Sequence, residues 1–166
     1  MSAAAWIEHL QMEKHPEGGW FREIYRSSES IAKTALPDRF AGDRAFSTAI
    51  YFLLEGDDFS ALHRICQDEL FHFYAGSSMT IHQLSPSGEY AASQLGADVS
   101  RGELPVVVVP SGCVFGATVN HPQSYSLVGC TVAPGFDFAD FVMPKCAELK
   151  TQFPDHEAII ERLTRQ

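Results

Sequence analysis

The sequence predicts an all-β domain, an antiparallel sandwich or barrel with short helices at its N- and C-terminal ends. Three observations carry this: short apolar segments recur at near-regular intervals, turn residues separate them, and the middle of the chain has almost no helical period. A chain of 166 residues has the size of one domain. At that size folding hides roughly 70% of the unfolded surface, so a core forms without staples. The expected division is an N-terminal helix over 1–16, a β-barrel over 17–142 and a helical tail over 143–166.

Each element has a local reason. Ser2 can cap a first helix whose Trp6, Ile7 and Leu10 share one stripe. His15-Pro16-Glu17-Gly18-Gly19 ends it, because Pro followed by two glycines cannot continue a helix cheaply. Residues 20–26 alternate as a strand, with Phe21, Glu23 and Tyr25 opposing Trp20, Arg22, Ile24 and Arg26. Residues 27–44 are polar, contain Pro37-Asp38 and read as a surface connection or hairpin tip. Strands are then expected at 45–54, 60–66, 69–75, 78–84, 89–95, 105–109, 113–119 and 125–132, separated by turns such as Ser85-Pro86-Ser87-Gly88. In the tail, 147–153 reads as a short helix. A second follows Pro154-Asp155 and carries Ile159, Ile160 and Leu163 on one stripe.

Charge narrows the function. Twelve Lys and Arg against 21 Asp and Glu leave a net charge of −9, with no basic block. Nucleic acid and anionic membranes both need a positive footprint, so neither is expected as a partner. The N-terminal stretch carries Glu8 and His9 and does not read as a signal peptide. The longest apolar run, 45–54, is far short of the roughly 20 residues that span a bilayer. Cys66, Cys113, Cys130 and Cys146 form no C-x-x-C pair, which fits reduced thiols and a cytoplasmic location.

The stretch 56–76 carries the chemistry. His63 shares a strand face with Ala61 and Ile65, and Glu69 shares one with Phe71 and Phe73. Antiparallel pairing can bring His63 and Glu69 together on an otherwise apolar face. A carboxyl there either keeps its proton or finds a cationic partner. Such a pair is the material of acid–base chemistry, or of a structural hydrogen bond at a barrel end.

Gly56, His63, Glu69 and Gly76, followed by Pro110-x-Gly112, resemble the two signature motifs of the cupin superfamily. Further pieces are His15-Pro16-Glu17-Gly18-Gly19, His63-Arg64, Asp68-Glu69-Leu70-Phe71-His72-Phe73-Tyr74-x-Gly76 and Thr131-Val132-Ala133-Pro134-Gly135-Phe136. With these the chain resembles the cupin family DUF985 (Cupin_5) along nearly its whole length. The resemblance implies a cupin jelly-roll barrel and a homodimer, and brings no activity of its own. Metal-binding cupins use H-x-H and Glu in the first motif and a further His in the second. Here Ile65 and Phe115 stand where two of those histidines are expected. A stable catalytic metal usually needs three protein ligands, so no cofactor is expected beyond a weakly bound divalent metal. His72 by simple alternation faces away from Glu69, and only a β-bulge would turn it inward; His82 is a second candidate. His9, His15, His121 and His156 have nothing around them that suggests a site, and Asp137–Asp140 reads as a solvated face.

The sequence-based assignment is a cupin that binds a small polar molecule such as a sugar or nucleotide-sugar. Proton transfer or isomerisation without a metal is the expected chemistry, as the resemblance to deoxysugar epimerases implies. His63 would be the base, oriented by Glu69, with Tyr51 or Tyr74 as acid on the opposite face and Arg22 meeting an anionic group. Tyr51, Phe71, Phe73 and Phe115 are placed to line the barrel, where pocket wall and core filling both remain open; His72, Tyr25 and Ser126 could add polar contacts. Two other classes remain: a non-catalytic binding or structural module, and a metal oxygenase with atypical ligands if His72 or His82 turns inward.

Overall fold

A computed structural model describes residues 1–165. Among these residues the nine expected strands form in order, joined by three further two-residue strands and by three short α-helices at the chain ends. The helix α1 (Ala3–His9) is capped by the Ser2 hydroxyl, which accepts the Ala5 N–H at 3.3 Å. It is shorter than the 1–16 expected, because the chain re-extends at once into β1 (Glu13–Lys14), which pairs with β2 (Trp20–Arg26). The polar connection after β2 holds a small hairpin of β3 (Ser30–Ile31) and β4 (Arg44–Ala45). The apolar run expected at 45–54 therefore divides, its main part forming β5 (Thr48–Glu55).

Next come β6 (Phe59–His63), β7 (Asp68–Gly76), β8 (Met79–Leu84), β9 (Tyr90–Leu95), β10 (Val106–Val109), β11 (Val114–Val119) and β12 (Tyr125–Ala133). They form two antiparallel sheets: six strands in the order β1-β2-β5-β12-β7-β10 and four in the order β6-β11-β8-β9. Non-sequential neighbours in both sheets are the mark of a jelly roll. The inner faces meet in one core that includes Phe52, Phe71, Ile81, Phe115, Val128 and Val132. On the outer face of the four-stranded sheet lie α2 (Cys146–Gln152) and α3 (Glu157–Arg162). They bury Leu149, Phe153, Ile160 and Leu163 against Leu62, Leu84 and Val114, each of those tail side chains contributing about 2 kcal/mol of burial. The helix α1 covers one end of the other outer face, over Leu53 and Leu127. Among the described residues no helix is long and apolar enough to cross a membrane.

Three bulges change parity and decide what enters the barrel; the one in β6, between Ser60 and His63, turns both of these toward Glu17. In β2 the pairing with β5 slips between Glu23 and Tyr25, so Glu23 and Arg26 both border the cavity. In β7 the register against β12 slips at Tyr74, after His72 has been placed opposite Gly129 on the outer face. That bulge comes too late to turn His72 inward.

Candidate functional site

The open end of the barrel holds a cavity of about 260 Å³. Its floor and sides come from β2, β5, β6, β7 and β12, and its cover from residues 136–141. This cover is fixed to the barrel. Phe136 N–H donates to the Thr48 hydroxyl at 2.9 Å, and Asp140 lies buried in a two-point ion pair with Arg44 at 2.5 and 2.7 Å. Gln67 Nε2 donates to the same carboxylate at 2.8 Å and to Gly135 O at 3.2 Å. The expected solvated face of Asp137–Asp140 is thus corrected at Asp140, because a buried guanidinium and amide replace its water.

His63 and Glu69 both line this cavity, as the strand parity predicts. Burial raises the Glu69 carboxyl to about 7. His63 opposes that shift, while Glu17 adds to it. The Cys130 thiol also lines the cavity, and burial pushes its own pKa up. His63 Nδ1 lies 2.7 Å from Ala61 O; a carbonyl only accepts, so Nδ1 carries the proton and Nε2 is left for the cavity side.

The direct partner of Nε2 is Glu17, whose Oε2 lies 3.1 Å away, with His15 Nδ1 at 3.3 Å from the same oxygen. Ser60 donates to the other carboxyl oxygen at 2.8 Å. Burial lowers both imidazole pKa values and raises that of Glu17. All three groups are thus biased toward their uncharged forms, with one Glu17 oxygen in reach of both ring nitrogens.

Glu17 and His15 are the residues that sequence reasoning missed. They sit on the β1–β2 turn, where the chain reverses through Gly18 and Gly19 at φ +114° and +71°. A side chain at Gly18 would collide with the Phe59 carbonyl. Only a glycine there lets Glu17 O accept the Ala61 N–H at 2.8 Å, which ties the turn to β6. The available signal was a histidine two residues before a carboxylate, followed by two glycines.

Most of the expected ligand-binding residues lie elsewhere. Tyr51 alternates outward on β5 and meets Tyr74 edge-on at 6.0 Å on the outer face of the sheet. Tyr74 is half exposed, and Gly129 is the gap its hydroxyl lies over. Arg22 is exposed on that same face, opposite Tyr51. His72 bonds Thr131 there, Nε2 to Oγ1 at 3.2 Å. Phe115 does point inward, but as buried core behind His63, with ring centroids 4.1 Å apart. Tyr25 is exposed, and Ser126 is fully buried without lining the cavity. His82 lies on the outer face of the four-stranded sheet, its Nδ1 2.7 Å from Tyr90 Oη and its Nε2 3.0 Å from Thr118 Oγ1, and burial lowers its pKa to about 4.

The donor set does not suit a resident metal. Ile65 and Phe115 are apolar fill where ligands would stand, both His63 nitrogens are engaged, and His72 and His82 belong to other faces. Among the described residues no group of three or more His, Cys, Asp and Glu side chains is arranged to hold an ion.

A two-sheet jelly roll with an aromatic-walled cavity at its mouth defines the chain as a small barrel protein of the cupin type. The model of the Cupin superfamily (DUF985) family, Cupin_5, matches residues 4–144, and the chain belongs to that family. It is similar to an uncharacterized protein of Saccharomyces cerevisiae, 30% identical over 148 residues, covering 84% of this chain and 73% of that one. Among solved structures, a protein of Shewanella oneidensis superposes with a TM-score of 0.89 at 39% identity, over 99% of this chain and 98% of that one. A hypothetical protein of Leishmania major gives 0.90 at 33% identity, over the full length of both.

Proposed function

We propose that the chain binds one compact organic molecule in the barrel mouth and exchanges a proton with it without a resident metal. The observation that carries this is the Glu69 carboxyl, pushed up to about 7 by burial at the cavity wall, beside a second buried carboxyl whose one oxygen lies 3.1 and 3.3 Å from two imidazole nitrogens. At neutral pH Glu69 is poised to give or take a proton, the condition for general acid–base work. Glu17 and His63 form the adjoining relay, in the place first given to Tyr51 and Tyr74.

The wall also bears on the ligand. A cavity of 260 Å³ holds about nine waters at roughly 30 Å³ each, which suits a single ring. Phe21, Phe52, Phe136, Phe138 and Phe141 supply most of its apolar wall. A sugar would leave hydroxyls unpaired there, and a nucleotide-sugar would not be enclosed. The wall favours an apolar body with one polar edge over either.

A non-catalytic binding module is the second reading, and the aromatic wall supports it as well. A homodimer remains our proposal. The outer face of the six-stranded sheet leaves Tyr74, Val106 and Val108 about half exposed at one edge, which is surface suited to a second copy.

A native mass spectrum of protein purified without a metal column tests these readings. We expect no stoichiometric metal, a retained small molecule and a dimer mass. Stoichiometric iron, manganese, nickel or zinc would overturn the metal-free site. Unchanged ligand binding in both His63→Ala and Glu69→Ala would overturn the site assignment.

A further inference from the structure

The charges around the cavity are unequal. Four acids border it, Glu17, Glu23, Glu69 and Asp137, against one arginine. That arginine is already committed: Arg26 donates to both Glu23 oxygens at 2.7 and 3.0 Å and to Phe136 O at 3.1 Å. His15 and His63 are held toward their neutral forms by burial. An anionic ligand would find no free positive group, and a neutral polyol too few partners.

The remaining wall points the same way. Phe136, Phe138 and Phe141 form a set of mutually steeply inclined rings with centroids 5.0 to 6.3 Å apart, and His15 bridges Phe138 and Phe141 to Phe21 and Phe52 on the other side. Ring quadrupoles attract a cation within about 6 Å, and do so most strongly where water is excluded. Carboxyls at the wall and phenylalanines around them are the two elements of a cage for positive charge.

We propose that this cavity selects an organic cation, an ammonium or protonated nitrogen base on a compact apolar frame of about one ring. The proposal rests on the reading of the cavity as a ligand site and names its ligand class. Glu69 supplies the counter-charge by releasing its proton to solvent as the cation enters. The charged or titratable groups facing Glu69 are His63 from β6, Glu17 from the β1–β2 turn and Cys130 from β12; its strand partners, Val109 of β10 and Val132 of β12, are apolar. None of these offers a competing positive charge at neutral pH.

Calorimetric titration with three probes of one shape tests it: benzylammonium, benzyl alcohol and benzoate. Benzylammonium stays charged from pH 6 to pH 8, so any pH effect in that range comes from the protein. We expect it to bind at least about tenfold tighter than benzyl alcohol at pH 8, with benzoate weakest. Its affinity should fall about tenfold on going to pH 6, as Glu69 regains the proton it holds below about 7. Glu69→Gln should weaken the ammonium and flatten this pH dependence. Benzyl alcohol or benzoate binding as tightly as the ammonium would overturn the cation inference and leave the ligand site standing. An ammonium bound equally by Glu69→Gln would show that the charge is read elsewhere and overturn the inference. Failure of all three probes at millimolar concentration would sink the ring-sized site and the inference together.

Discussion

Glu69→Gln tests the cavity through stability alone, with no ligand needed. The barrel withholds water from the Glu69 carboxylate and raises its pKa from 4.5 to about 7. Between those values the unfolded chain has released this proton while the folded chain keeps it. Stability must therefore fall as pH rises through that window. At about 1.4 kcal/mol per unit, the loss comes to about 3 kcal/mol, absent below the unfolded value of 4.5 and complete by roughly pH 8. Gln keeps the shape of the protonated acid and cannot ionise. The variant should match the parent in acid and exceed it by about 3 kcal/mol at about pH 8. Urea denaturation of both proteins at the two ends of the window measures this, because every other titrating group is common to the two chains. Parallel stability curves would refute the reasoning: Glu69 would then ionise as it does in water, and the cavity wall would be wet.

The turn and the cover give two further tests. Gly18→Ala forces a side chain into φ +114° against the Phe59 carbonyl, and should cost at least about 2 kcal/mol. It should also move the His63 imidazole resonances as Glu17 is displaced. Gly88→Ala, at φ +89° with open space around it, should lose only about 1 kcal/mol and leave those resonances unchanged. Equal effects would mean that the turn does not hold Glu17 in place. Asp140→Asn strands the buried Arg44 guanidinium and should cost about 3–5 kcal/mol, with faster amide exchange confined to 135–142. Exchange left unaltered there would show that the ion pair does not fasten the cover.

The strand order could be read because turn chemistry is local. Pro, Gly and Asp pairs mark chain reversals wherever they stand, and alternation then places Glu69 with Phe71 and His63 with Ile65 on inward faces. The same alternation failed at Tyr51. Which face of β5 is inner depends on the sheet packed against it, and a strand apolar on both faces does not announce that. Arg22 failed for a related reason: β2 is polar on both faces beyond Phe21, and its bulge brings Arg26 to the cavity instead.

Sequence alone determined the all-β class, the helical ends, the family and the pairing of His63 with Glu69 in one apolar space. Each of these follows from residue types a few positions apart. Tertiary structure alone decided that Glu17 is the direct partner of His63, that His15 reaches the same Glu17 oxygen and that Asp140 locks the cover with Arg44. Glu17 and His63 are 46 positions apart and Arg44 and Asp140 are 96. A charge so far along the chain finds its partner only when the barrel closes and removes the water that would otherwise have served both.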